Sequence, residues 1–419
     1  MDTQRNCLFI LVDCLRADKC WGEKRTAKTP TIDSLCQRGT IFTQAITTTT
    51  ITTPSVSSIL TGLYPVTHGV RALHGYKLNH RIKTIAEVFQ ENGYTTYAEV
   101  TGPLGPEIGL DKGFDEYNLR TRVNGAYSFW YERLLKKSLN KEFKQPWFIF
   151  LHFFELHQPR SLQKNYNKAD FGANRYERAL SCLDASLSEL LRYLPDDTVI
   201  VLHGDHGEKI AQTMLTEYTF RFAKYLSILK GKLGLRTANR LQRLGHGFNV
   251  YDYLVRVPLI FVGESIFPKG RWISEQVRQI DIAPTLIEAL ELKHSGNQIP
   301  NARLSDKICG RSLMPSINGY ELPEIPAYCE ACGSSLGDMS KWLAAVRTPE
   351  YKYICRPYTN YSREELYDLE NDPHEKRNII DGAPKIAQEL RQQLAEIRRT
   401  SDENQIQEVI RNLKDSGRL

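Results

Sequence analysis

The stretch Val199-Ile200-Val201-Leu202-His203-Gly204-Asp205-His206-Gly207-Glu208 sets an apolar, β-branched run directly against a carboxylate and an imidazole. A near-continuous apolar run of this kind suits a strand covered on both faces of its sheet. The start of the chain repeats the arrangement, where Leu8-Phe9-Ile10-Leu11-Val12 is closed by Asp13. Strand-like runs are read at Cys7 to Val12, Thr96 to Val100, Pro146 to Phe153, Thr198 to His203 and Val257 to Val262. Helix-like segments alternate with them, including Ile82 to Asn92, stopped by Gly93, and Tyr176 to Tyr193, ended by Pro195. This rhythm predicts a mostly parallel α/β sheet with helices on both faces. Such sheets present ligands beyond the C-terminal ends of their strands, where Asp13 and Asp205-His206 both fall.

A third stretch, Ile51-Thr52-Thr53-Pro54-Ser55-Val56-Ser57-Ser58-Ile59-Leu60-Thr61-Gly62, offers a hydroxyl nucleophile. Ser55 to Leu60 is expected to open a helix, whose N-terminus favours an anion. One hydroxyl, two carboxylates and an imidazole form a plausible metal-activated nucleophile, because a divalent cation lowers the pKa of a hydroxyl. Asp13, Thr52, Asp205 and His206 are therefore the expected ligands of one divalent cation. An oxygen-rich set with one imidazole suits Mn²⁺, Mg²⁺ or Ca²⁺, with Zn²⁺ as a further option.

Later segments break the rhythm. Thr213 to Leu244 carries seven cations, Arg221 to Arg243, interleaved with aromatic and leucine residues, and reads as a basic helical insertion. It is either a solvated hairpin or a lid facing an anionic substrate, glycan- or lipid-linked. Trp342 to Val346 and Tyr351 to Cys355 read as strands paired around Thr348-Pro349-Glu350. The expected organisation is a catalytic domain over residues 1–310, a small antiparallel subdomain over 311–382, and a helix and tail over 383–419, with Pro384 to Ile397 helical.

Composition narrows the class. The 419 residues are 41% hydrophobic and 25% charged, ordinary for a globular protein, and the net charge of +6 is compatible with an anionic substrate. Nothing suggests nucleic acid as a partner. Nine cysteines without framework spacing read as reduced thiols, and the single CxxC at Cys329 and Cys332 as incidental. The N-terminal apolar run is too short for a signal or a membrane span, and no longer apolar stretch follows, so a cytoplasmic protein is expected.

Taken in order, the motifs resemble the sulfatase-type branch of the alkaline phosphatase superfamily. The resemblance runs through Val12-Asp13-Cys14-Leu15-Arg16-Ala17-Asp18, Thr53-Pro54-Ser55, Leu60-Thr61-Gly62-Leu63-Tyr64-Pro65, Gly204-Asp205-His206-Gly207-Glu208, Arg256-Val257-Pro258, Asp281-Ile282-Ala283-Pro284-Thr285 and Leu366-Tyr367-Asp368. It implies an alkaline phosphatase-like fold. It also implies substrate-binding roles for His157 and His246, the latter holding a nonbridging oxygen or protonating a leaving group. Sulfatases of the branch carry a Cys or Ser, oxidised to formylglycine, where this chain has Thr52, and an Arg where it has Val56. Oxidation of Thr would give a ketone rather than an aldehyde. The resemblance therefore turns to the phosphotransferase members, such as the phosphoglycerol and phosphoethanolamine transferases and related phosphodiesterases, in which a Thr attacks phosphorus. The sequence thus predicts a metal-dependent phosphoester hydrolase or phosphotransferase working through Thr52, with His157 and His246. Two alternatives stand beside it: a sulfatase without formylglycine, and a non-catalytic binding protein.

Overall fold

A computed structural model describes residues 4–120, 144–210, 245–294, 310–333 and 339–400. The basic insertion expected at Thr213 to Leu244 and the tail beyond residue 400 lie outside the described residues. An eight-stranded sheet forms the centre, ordered β4-β3-β5-β1-β6-β7-β2-β8. Its strands are β1 (Cys7–Val12), β2 (Thr40–Ile46), β3 (Thr95–Thr101), β4 (Glu116–Arg120), β5 (Trp147–Phe153), β6 (Val199–Gly204), β7 (Arg256–Val262) and β8 (Arg271–Arg278). β7 runs antiparallel to both neighbours, and the remaining pairings are parallel.

The central strands are buried on both sides because helices cover both faces. In β1 the side chains alternate: Cys7, Phe9 and Leu11 enter one core, and Leu8, Ile10 and Val12 the other. The first core is closed by helices Thr52–Thr61, Ile85–Glu91 and Ile282–Ala289. The second is closed by Pro30–Arg38 and Arg175–Leu191, which contribute Ile32, Leu35, Leu180, Leu183 and Leu187. Each such fully buried aliphatic side chain contributes ~1.5–3 kcal/mol.

Two helices start away from their expected positions, each for a local reason. Ile85–Glu91 begins three residues after Ile82, because Thr84 and Glu87 form a reciprocal capping box. Thr52–Thr61 begins at Thr52 itself, earlier than the expected Ser55, and its N-cap Ile51 makes no side-chain cap. The nucleophile candidate thus occupies the first helical position.

The second sheet is antiparallel, ordered β12-β11-β10-β9, from β9 (Ala327–Ala331), β10 (Leu343–Arg347), β11 (Tyr351–Arg356) and β12 (Ser362–Asp368). Helix Pro384–Thr400 packs Leu390, Leu394 and Ile397 against Tyr328, Val346 and Tyr353 of this sheet. β9 also bridges Thr49 through Glu330, so the small sheet holds the segment that leads into Thr52.

Candidate metal centre and nucleophile

Asp13 and Asp205 stand just past the ends of β1 and β6, which are paired in register, Val12 opposite Gly204. Both carboxylates are fully buried. Asp205 Oδ1 accepts from the backbone N–H of Cys14 at 3.0 Å and of His206 at 2.7 Å. Cys14 adopts a left-handed φ of 63°, unusual for a non-glycine residue and paired here with the N–H contact to Asp205. Asp13 Oδ2 accepts from Thr52 Oγ1 at 3.0 Å, and Thr52 Oγ1 lies 3.4 Å from His206 Nε2.

His206 Nδ1 lies 2.9 Å from the Gly207 carbonyl. A carbonyl only accepts, so Nδ1 carries the proton and Nε2 presents its lone pair toward Thr52 and Asp205. Asp13, Asp205 and His206 each offer a ligand atom, all within 4.8 Å of one another.

This set fits a divalent cation on its own geometry. Asp13 Oδ1 and Asp205 Oδ2 are buried oxygens with no hydrogen-bond partner. Burial and the neighbouring Asp205 push the Asp13 carboxyl well above its ordinary range. A divalent cation among these oxygens would offset the repulsion between two buried carboxylates. Thr52 Oγ1 is placed to join them. Cys14, His206 and His246 form a second potential group, with Cys14 Sγ 4.0 Å from His206 Nδ1, the nitrogen that donates to the Gly207 carbonyl.

The structure also brings His246 and His157 to this centre. The His246 ring lies 4.9 Å from that of His206 and 5.3 Å from that of His157, which stacks on Phe154 at 4.3 Å. His246 Nδ1 is 3.0 Å from Glu208 Oε2. Burial opposes charge on His246, but Glu208 outweighs it and raises the imidazole to about 9. Val56 is buried in the core at 1% exposure, so no guanidinium enters from that position. Arg16 pairs with Asp18 at 2.7 and 2.9 Å and donates to the Glu208 carbonyl at 3.1 Å, supporting the loop from outside.

Residue-by-residue reading gave no role to three groups that the structure places here. His152, buried in β5, has Nδ1 3.1 Å from the Thr101 carbonyl and Nε2 3.8 Å from Asp13 Oδ2. The available signal was a lone imidazole near the C-terminal end of an apolar strand. Glu208 closes the quoted motif, but sequence alone gives it no role. Gln279 sits between β8 and helix Ile282–Ala289, and nothing local marks it.

A doubly covered α/β sheet that gathers two carboxylates, an imidazole and a hydroxyl at its strand ends is the architecture of the alkaline phosphatase superfamily. The chain belongs to the sulfatase family within that superfamily: residues 5–292 match the family described as Sulfatase. Residues 247–400 match the family described as N-sulphoglucosamine sulphohydrolase, C-terminal. An ulvan-active sulfatase of Formosa agariphila is 36% identical, with 92% of this chain and 78% of that protein covered. Phosphonate monoester hydrolase of Agrobacterium radiobacter superposes with a TM-score of 0.71 at 19% identity, covering 95% of this chain and 96% of that one. Ps i-CgsB, solved in complex with k-i-k-neocarrahexaose, gives a TM-score of 0.71 at 19% identity, covering 96% and 94%.

Proposed function

We propose that this chain hydrolyses sulfuric esters carried by a carbohydrate, with Thr52 Oγ1 as nucleophile beside one divalent cation. The observation that carries this reading is Thr52 Oγ1 itself, at a helix start and 3.0 Å from Asp13 Oδ2 and 3.4 Å from His206 Nε2. The sequence put phosphoric esters first; the sulfatase names of the relatives support the reverse order. The carbohydrate is supported by a neighbour solved with a neocarrahexaose.

Asp13, Asp205, His206 and Thr52 would hold the cation, which when bound acidifies the hydroxyl and neutralises the ester oxygens. The protein's own groups do the rest. Thr52 Oγ1 already points its proton at Asp13 Oδ2. As Oγ1 bonds to the central atom, the bond to the alcohol oxygen breaks. His246 is oriented by Glu208 through Nδ1. Its Nε2 can give that alcohol a proton. Water then cleaves the Thr52 ester, restoring the hydroxyl and releasing the free anion. His157 and the backbone N–H groups of the first turn of helix Thr52–Thr61 supply donors for the ester oxygens.

A second reading, transfer or hydrolysis of phosphoric esters through a phospho-Thr52, is supported by the pair Thr52 and Val56, which departs from the formylglycine pattern, and by the fold shared with a phosphonate monoester hydrolase. Among the described residues no helix is long and apolar enough to cross a membrane. The eight described cysteines are free and buried, which suits a reducing, cytoplasmic setting. The deciding experiment compares sulfated saccharides, 4-nitrophenyl sulfate, and phosphate mono- and diesters at equal concentration with metal-loaded protein. Faster sulfate release upholds the first reading, and faster phosphate release the second. Metal uptake with turnover of neither leaves a binding protein.

A further inference from the structure

We propose that Gln279 is a positioning residue for the metal centre, whose side-chain amide holds the nucleophile helix and the Asp205 loop in one fixed register. The inference rests on the metal site proposed above but concerns a residue that touches neither cation nor ester. Gln279 is fully buried, and its amide meets five residues from three separate parts of the chain. Oε1 accepts from Thr48 N at 3.2 Å and Thr48 Oγ1 at 3.2 Å, and lies 3.0 Å from Thr47 Oγ1. Nε2 donates to Ser55 Oγ at 2.8 Å and faces His203 Nε2 at 3.3 Å and the Asp205 carbonyl at 3.4 Å.

The orientation of this amide is fixed at both ends by its partners. The Thr48 N–H can only donate, so the oxygen must lie on that side. His203 Nδ1 is 2.8 Å from the Pro258 carbonyl, so that nitrogen carries the proton and Nε2 is left to accept. The Asp205 carbonyl takes two further short bonds, from Thr47 Oγ1 at 2.6 Å and Ser55 Oγ at 2.7 Å. Both of those hydroxyls also contact Gln279. Ser55 lies three residues after Thr52 on the same helix, and Asp205 precedes His206. One amide therefore ties the Thr47–Thr48 segment, the helix bearing the nucleophile and the loop bearing two metal ligands. A buried network satisfied on all sides is the kind that holds a single geometry.

The test uses the full chain with Mn²⁺, Ca²⁺ and Zn²⁺ as probes, each titrated alone and calorimetrically into wild type, Gln279→Met, Ser55→Ala and the double variant. Apo-protein melting is recorded beside it. Gln279→Met keeps the volume and removes both halves of the amide. The expected result is metal binding weakened at least ~10-fold, within the range seen when supporting groups behind metal ligands are removed. Ser55→Ala should weaken it less. The double variant should lose less than the product of the two single effects, because both lie on one link. Metal affinity equal to wild type in Gln279→Met, with only the melting temperature lowered, overturns the positioning role. Independent, fully multiplying effects overturn the link through Ser55. Failure of wild type to bind Mn²⁺, Ca²⁺ or Zn²⁺ would instead sink the metal reading and this inference with it, so the two failures are told apart by the wild-type titration.

Discussion

At the scale of single residues, the site is built from opposed requirements that a bound cation would reconcile. Burial raises Asp13 and depresses His206, so the bare cluster resists the charges it contains. Asp205→Asn removes one carboxylate charge while keeping the shape that accepts from Cys14 N, and metal content per chain should fall sharply by elemental analysis. Undiminished content would refute the assignment of Asp205 as a ligand. Thr52→Ala keeps Asp13, Asp205 and His206 and removes the attacking oxygen, so turnover should drop at least ~10³-fold with metal still bound. Thr52→Ser, which keeps the hydroxyl, should stay far closer to wild type. Equal losses in the two variants would mean that Oγ1 is not the nucleophile. Asp13, Thr52, Asp205 and His206 could be singled out in the sequence because they follow an apolar run or open a helix, positions with a mechanical reason to hold ligands, whereas His157 and His246 were singled out only through the family resemblance. Gln279 was not, since its partners come together only through long-range packing, from Thr47 to Asp205.

At the scale of elements, the apolar central strands of the large sheet were readable, while β2, β4, β8, β9 and β12 were not. Cys7–Val12 and Val199–Gly204 are unbroken apolar runs because neighbours cover both sides. β4 and β8 lie at the sheet edges, and β8 exposes Trp272, Ser274 and Glu275, which breaks up the apolar pattern. β2 is internal, but its register shifts between Phe42 and Ala45, where Thr43 and Gln44 interrupt the apolar pattern. The small sheet reaches the Asp205-His206 loop through a buried ionic cluster. Arg347 donates to Asp252 at 3.0 and 2.9 Å, and Lys352 Nζ contacts Asp252 at 2.5 Å and Glu375 at 2.7 Å. The short helix Asp252–Val255 that carries Asp252 accepts the Gly207 N–H at Leu254 O, 2.7 Å away, one residue from His206. Asp252→Ala would leave Arg347 and Lys352 sharing the single Glu375 charge, so a loss of ~3–5 kcal/mol is expected in denaturant unfolding. Lys352→Met leaves Arg347 paired with Asp252 and should cost less. The reverse ranking would show that the cluster does not act through Asp252.

At the scale of the whole molecule, the same burial that shapes the site sets an acid limit on the fold. His68 is fully buried, where Nδ1 accepts from the Val70 N–H at 3.1 Å and Nε2 lies 3.0 Å from Ser58 Oγ on the nucleophile helix. Accepting at Nδ1 requires the neutral ring, with its proton on Nε2 and donated to Ser58. Burial holds its pKa down at about 3. The unfolded chain returns it to about 6.5, so above that pH both states are neutral and the residue adds no pH dependence. As pH falls below about 6.5, the unfolded state takes up a proton that the folded state refuses. Stability then declines by ~1.4 kcal/mol per pH unit, until the folded pKa is reached. His68→Gln should melt below wild type at pH 7.5, because the imidazole fills its site better. That gap should close as pH is lowered toward 5, since the variant lacks this proton linkage while sharing every other titrating group. Paired denaturant curves at pH 7.5, 6.5, 5.5 and 5 measure the gap directly. A gap that stays constant across this range would mean that His68 accepts its proton inside the fold, and the acid limit would have to come from elsewhere in the chain.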